Sequence, residues 1–152
     1  AVTGVQTCAL PIWMVERLAA KMENEPSDLD GWLRLGRAYA VLGDGDKALA
    51  AYGKAVALKP SDAGVLMQAV QGFLERRAPT APVPAEVVGW LRKIESLTPG
   101  QPSVLWFLGL ASAQEGKKDE ALVFWSRLLA SMPAEAPETQ TLKQAMAALR
   151  GG

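Results

Sequence analysis

One stretch limits what this chain can fold into more than any other: GWLRLGRAYAVLGDGDKALAAYGKAVALKP, residues 31–60. It sets Trp32, Leu35, Gly36 and Tyr39, then Ala48, Tyr52 and Pro60, on the pattern W-x2-L-G-x2-Y…A-x3-F…P, with Tyr52 where Phe is usual. A shift of 73 residues carries Leu35 to Leu108, Gly36 to Gly109, Ala48 to Ala121, Tyr52 to Trp125 and Pro60 to Pro133. With a repeat period of about 34 residues, that shift leaves room for one more unit and about five inserted residues. The insertion is visible as APTAPVP, residues 78–84, in an otherwise helical stretch.

The pattern is that of tetratricopeptide repeats, and it predicts an all-α fold, a solenoid of helix hairpins that must stack because none can bury its apolar face alone. The hairpins span about 29–62, 63–101 and 102–135. Gly36 and Gly109 are expected where the two helices of a hairpin approach closely, with Ala48 and Ala121 matching them on the second helix. Pro60, Pro99 and Pro133 close the second helices, because proline cannot continue one. Ser27 or Asp28, Ser61 or Asp62, and Ser103 are the candidate helix caps. The middle unit would place helices over 63–76 and 84–97, with Pro84 at the start of the second.

A single helix flanks the array on each side. Met14, Val15, Leu18, Ala19 and Met22 form a stripe that ends near Pro26, so residues 14–25 resemble the second helix of a preceding hairpin. Leu142, Ala145, Met146 and Leu149 recur at helical spacing after Pro137 and predict a capping helix over about 137–150. Residues 1–13 fit none of this. A secretion or lipid-attachment signal needs a basic start and an apolar core, which AVTGVQTCALPIW lacks. Its residues 2–12 instead resemble one reading frame of a sequencing-library adapter, which would remove Cys8 from the functional account.

Composition excludes several functions. The 16 Lys and Arg balance 16 Asp and Glu, against the basic excess of a nucleic-acid binder. There is no histidine and one cysteine, so the commonest general base, disulfide frameworks and Cys-rich zinc sites drop out. GDGD at 43–46 resembles a calcium loop, but Ala55 stands where its last carboxylate is needed; it reads as a turn. Glu135 and Glu138 read as solvated surface and Glu75–Arg77 as a self-balanced charge run. No catalytic residue, metal site or cofactor is expected, and the chain reads as a binding protein rather than an enzyme.

Binding would use the first helix of each hairpin. The positions there that packing does not consume are Leu33, Arg37, Ala40 and Val41, then Met67, Gln71 and Leu74, then Trp106, Phe107, Leu110 and Ala113. Their apolar character suits an amphipathic helix, with Trp106 as anchor. Because Leu105, not Trp106, aligns with Trp32, Trp106 faces either the groove or the core.

The joint order of MVERLA, GWLRLGRAYAVLG, LWFLGL and FWSRLLASMP resembles the periplasmic domain of the CcmI/CycH family of cytochrome c maturation proteins, over residues 14–149. That resemblance implies a bacterial periplasmic chaperone, attached to the inner membrane by an N-terminal anchor missing from this chain. Its partners would be the C-terminal helix of apocytochrome c and the subunits of the haem-ligation complex. The competing expectation is a tetratricopeptide scaffold in another envelope assembly.

Overall fold

A computed structural model describes residues 10–152, and its regular structure there is entirely helical. The helices are α1 (Ile12–Asn24), α2 (Leu29–Val41), α3 (Gly45–Leu58), α4 (Ala63–Leu74), α5 (Ala85–Leu97), α6 (Pro102–Gln114), α7 (Lys118–Ala130) and α8 (Pro137–Gly151). They form two compact units, α1–α4 up to Pro79 and α5–α8 from Thr80. The division falls within the proline-rich insertion, so α4 belongs to the first unit and α5 to the second.

Local chemistry explains the helix boundaries. Asp28, Asp44 and Asp62 each accept a backbone N–H with a carboxylate oxygen, from Gly31 (3.0 Å), Lys47 (3.1 Å) and Gly64 (2.9 Å). These bonds satisfy donors that the first helical turn leaves free. The expected cap at Ser103 is not formed. Helix α6 begins one residue earlier, at Pro102, with Gln101 at the cap position and no side-chain bond. Proline at the first helical position has its φ already set and no N–H needing a partner, so it starts the helix without a polar cap. Pro84 likewise sits just before α5, at the cap position rather than inside the helix. Helix α1 starts at Ile12, so Ile12 and Trp13, assigned above to the leader, are helical and exposed. Residues 1–9 of that leader, Cys8 included, lie outside the described residues.

The two matching hairpins turn in the same way. Gly43 has φ +80° and Gly116 φ +77°, a left-handed conformation that favours glycine. In each, the glycine N–H donates to the carbonyl three residues back, Ala40 (3.1 Å) and Ala113 (3.0 Å). The next N–H donates five back, Asp44 to Tyr39 (3.0 Å) and Lys117 to Ser112 (2.8 Å). This is the Schellman arrangement, which ties off the last free carbonyls of α2 and α6.

In the first unit α1 packs on α2, α2 pairs with α3, and α4 lies against both. Val15 and Met22 of α1 join Leu35, Ala38 and Ala51 in one buried cluster, with Leu18, Ala19, Trp32 and Tyr39 packed around it. The Trp32 indole N–H donates to the Pro26 carbonyl at 2.9 Å, closing the corner between α1 and α2. Helix α4 adds Val65, Leu66, Ala69, Val70 and Phe73, all buried.

In the second unit α6 pairs with α7, α5 lies on α6, and α8 lies on α7. Val87, Leu91 and Ile94 recur at helical spacing and are fully buried. Leu105, Trp125, Leu128, Leu142 and Met146 form the main cluster, and Ala145 and Leu149 pack partly against it. The Gln114 side chain holds the end of the insertion, donating to the Ala81 carbonyl and accepting from the Val83 N–H, both at 3.1 Å. Ser112 Oγ donates to Glu120 (2.8 Å), whose other oxygen accepts from Arg92 of α5 (2.9 Å). The Arg92 bond, with that of Ser112, holds the Glu120 carboxyl below its usual range. Both charged side chains are partly solvated, so the ion pair itself contributes only about 0–1 kcal/mol.

Helix α5 contains a test of how far packing, rather than propensity, sets stability. Gly89 is exposed in mid-helix, and a Cβ built there meets nothing within 4 Å. Gly89→Ala is therefore expected to stabilise the fold by about 0.5–1 kcal/mol, through reduced freedom of the unfolded chain and better helix propensity. A rise in the denaturant midpoint at unchanged slope would establish it.

Candidate functional site

The position that the repeat pattern gives to Phe is filled by Tyr52 on α3 and Trp125 on α7, and these two rings organise the surfaces around them. A Cβ on Gly36 would fall 2.7 Å from the Tyr52 ring, and one on Gly109 would run into the Trp125 indole. The glycines thus lie where the two helices of each hairpin meet, as expected, and what they make room for is an aromatic ring from the second helix. Ala48 and Ala121 on the second helices are fully buried.

In the first unit Leu33 and Arg37 of α2, Gln68, Gln71, Gly72 and Glu75 at or beside α4, and Tyr52 surround a cavity of about 180 Å³. Three of the residues named from sequence, Leu33, Arg37 and Gln71, are brought together here. Leu33 is buried in the wall, whereas Arg37 and Gln71 are exposed. A neighbouring cavity of about 360 Å³ includes Arg37 and Val41, with Leu18 of α1 and Arg76. Met67 and Leu74 are half-buried and line neither cavity. Glu75 and Tyr52 are wall residues that repeat geometry did not single out.

Burial pushes the Tyr52 hydroxyl up to about 12; Arg37 opposes the shift, Glu75 adds to it and Arg76 opposes it. A group whose folded value exceeds its unfolded value near 10 contributes stability that is present below pH 10 and lost as pH rises toward 12. The fold is accordingly expected to lose on the order of 2 kcal/mol across that alkaline window. Tyr52→Phe should flatten the loss, as read by urea unfolding at pH 9 and pH 11.5.

In the second unit Trp106 is half-buried and stacks on Trp125, with ring centroids 5.4 Å apart and planes 19° from parallel. The Trp125 indole N–H donates to the Trp106 carbonyl at 3.1 Å. Trp106 also forms the wall of a mostly apolar cavity of about 370 Å³ with Pro102, Leu128, Met132, Glu138, Thr141 and Leu142. Leu110 and Ala113 are half-buried and pack on the same cluster as Trp106. Trp106 thus contributes one part of its surface to the aromatic stack and another to a cavity under α8.

Helix hairpins of this pattern, turned by a left-handed glycine and filled by a ring at the Phe position, define a tetratricopeptide-type fold. Solved structures bear this out at the level of fold alone. MamA superposes with a TM-score of 0.67 at 16% identity, over 91% of this chain and 75% of that one. The first TPR domain of human RPAP3 superposes at 0.56 with 18% identity, over 84% of this chain and 98% of that one.

The family is narrower. Residues 17–139 match the model of the cytochrome c-type biogenesis protein H TPR domain, and the chain belongs to that family. Cytochrome c-type biogenesis protein CycH of Bradyrhizobium diazoefficiens is 30% identical over 145 residues, covering 91% of this chain and 37% of its own length. CycH of Rhizobium meliloti is 36% identical over 141 residues, covering 89% and 36%. CycH of Pseudomonas aeruginosa is 30% identical, covering 91% and 32%. The chain thus spans about a third of the length of these curated relatives. Among the described residues no helix is long and apolar enough to cross a membrane.

Proposed function

We propose that this chain is a non-catalytic chaperone domain that holds the C-terminal helix of apocytochrome c for transfer to the haem-ligation complex. It would work in the periplasm, as part of a protein anchored in the inner membrane. The observation that carries the reading is membership of the cytochrome c-type biogenesis family, in a domain whose first helices present side chains into surface cavities. In the first unit Leu33, Arg37, Val41 and Gln71 would meet the ligand, with Met67 and Leu74 beside them on α4. In the second unit Trp106 offers an aromatic anchor in a mostly apolar cavity, the setting in which binding energy concentrates, with Leu110 and Ala113 following it on α6.

The test is a titration of the full chain against a labelled peptide from the C-terminal helix of a c-type apocytochrome, with a scrambled peptide of equal composition as control. Selective binding weakened about tenfold or more by Trp106→Ala or Arg37→Glu supports the function and the surfaces. Selective binding indifferent to both keeps the function and discards these surfaces. Equal binding of the scramble leaves a tetratricopeptide scaffold with a different partner.

A further inference from the structure

The cavity that Trp106 borders in the second unit is built from three helices. Pro102 and Trp106 come from α6, Leu128 and Met132 from α7 and its end, and Glu138, Thr141 and Leu142 from α8. Leu128 and Leu142 are buried and form its floor, whereas Pro102, Glu138 and Thr141 are exposed at its rim. Helices α6 and α8 make no substantial contact with each other, so the space between them is open above α7. The walls are held in place. Trp106 is fixed by its stack on Trp125 and by the indole bond to its carbonyl, and Leu142 by the buried cluster that α8 joins.

Two properties of this space suit a ligand of mixed character. Its volume of about 370 Å³ exceeds the roughly 150 Å³ of an apolar cavity that takes up benzene. Water inside it finds few partners, because the Thr141 hydroxyl already donates to the Pro137 carbonyl at 3.4 Å. An apolar group displaces such poorly held water at little cost. The charged residue in the wall is Glu138, which lies in the first turn of α8 and is in no ion pair among the described residues. The N-terminal end of a helix favours an acidic side chain, and here it leaves a negative charge without a counter-charge beside an apolar hollow.

We propose that this cavity receives one large apolar side chain of the bound helix, and that Glu138 selects helices carrying a Lys or Arg one turn away from it. The apolar side chain covers Trp106, Leu128 and Leu142 and replaces the water over them. The cation meets the carboxylate at the rim, where a ligand Asp or Glu would be repelled. Residues three or four apart share a helix face, so one amphipathic helix presents both groups together. Because the rim is solvated, the apolar side chain carries the affinity and the charge sets the preference. This inference deepens the proposed function and rests on its premise that the second unit takes a polypeptide helix.

Two arms on the full chain test it. In the first, phenylpropylammonium and phenylpropionate, which share an apolar body and differ in charge, are titrated while the Trp106 indole signal is followed by NMR. A saturable shift, about two- to fivefold tighter for the ammonium, is the expected result. Glu138→Lys should reverse that preference, and Thr141→Trp, which fills the cavity from an exposed helix position, should abolish both responses. In the second, the apocytochrome peptide carries Lys or Glu in turn at each position one turn from a large apolar residue. At one such position Lys should bind about two- to fivefold more tightly than Glu, and Glu138→Lys should reverse the order. Ala in place of the neighbouring apolar residue should cost about tenfold or more with either chain. Circular dichroism checks that both variants, each at an exposed position, stay folded.

A preference for the ammonium fragment without binding of the peptide keeps the subsite and removes the cytochrome reading. Selective peptide binding that is indifferent to Thr141→Trp and shows no charge preference dependent on Glu138 keeps the function and overturns the subsite. Equal responses to the two fragments, or none at Trp106, also overturn it.

Discussion

Gly109→Ala is expected to destabilise the second unit by about 2–3 kcal/mol, although the same change in an exposed helix stabilises. The added Cβ would meet the Nε1, Cδ1 and Cε2 atoms of the Trp125 indole. That ring cannot swing aside without losing its stack on Trp106 and its bond to the Trp106 carbonyl. Leu105, Leu128 and Leu142, in the same buried cluster, close off other positions for it. Against this, alanine gains about 1 kcal/mol in helix propensity and chain entropy, so the measured loss is a net figure. Chemical denaturation of Gly109→Ala beside Gly89→Ala separates the two effects within one chain. If both variants gained stability, the Trp125 contact would not be the constraint described here.

Phe73→Ala should have the larger effect, a loss of about 3–5 kcal/mol from the first unit. Phe73 is 3% exposed and is the largest of the five buried side chains that α4 brings to α2 and α3. The Arg77 guanidinium lies over its ring, 4.8 Å from the centroid, and Ala48 shares the wall of a small cavity with it. Truncation removes the ring's transfer free energy and leaves a void that the surrounding helices close only in part. Thermal unfolding followed by circular dichroism measures the loss. Because α4 carries Gln71, the same variant should also lose any peptide binding at the first unit's cavities. A change below about 1 kcal/mol would mean that α4 is not held by its apolar face.

The fold was legible wherever one residue type has one physical use. Pro60 and Pro133 mark helix ends because proline stops a helix, and the 73-residue shift found both hairpins through residues that pack. That shift also relates Gly43 to Gly116, whose shared left-handed turn was not drawn from the pattern. Helix starts were harder, because several residues can begin a helix: Ser103 is a good cap type, but Pro102 starts α6 without one. Gly36 and Gly109 were placed where the helices of a hairpin meet, but a small residue records that something comes close, not what it is, so the aromatic rings against them were not foreseen.

The candidate site divides in the same way. Position on a helix face was enough to bring Leu33, Arg37 and Gln71 to one cavity. It did not reveal Glu75, which depends on how α4 is rotated against α2. Nor did it fix the surroundings of Trp106, which follow from an indole on another helix. For Tyr52 a signal did exist: a hydroxyl at a position the pattern assigns to Phe asks for a partner, and the sequence named none.

The order of helix contacts has a consequence for how the chain reaches this state. Every substantial packing partner is the next helix along, or at most the next but one, as when α4 meets α2. No pairing has to wait for a remote part of the chain, so the loops closed during folding are short and their entropic cost is small. Such low contact order places a chain among fast folders, in the microsecond to millisecond range. Each hairpin can act as a nucleus from which its neighbours zip on.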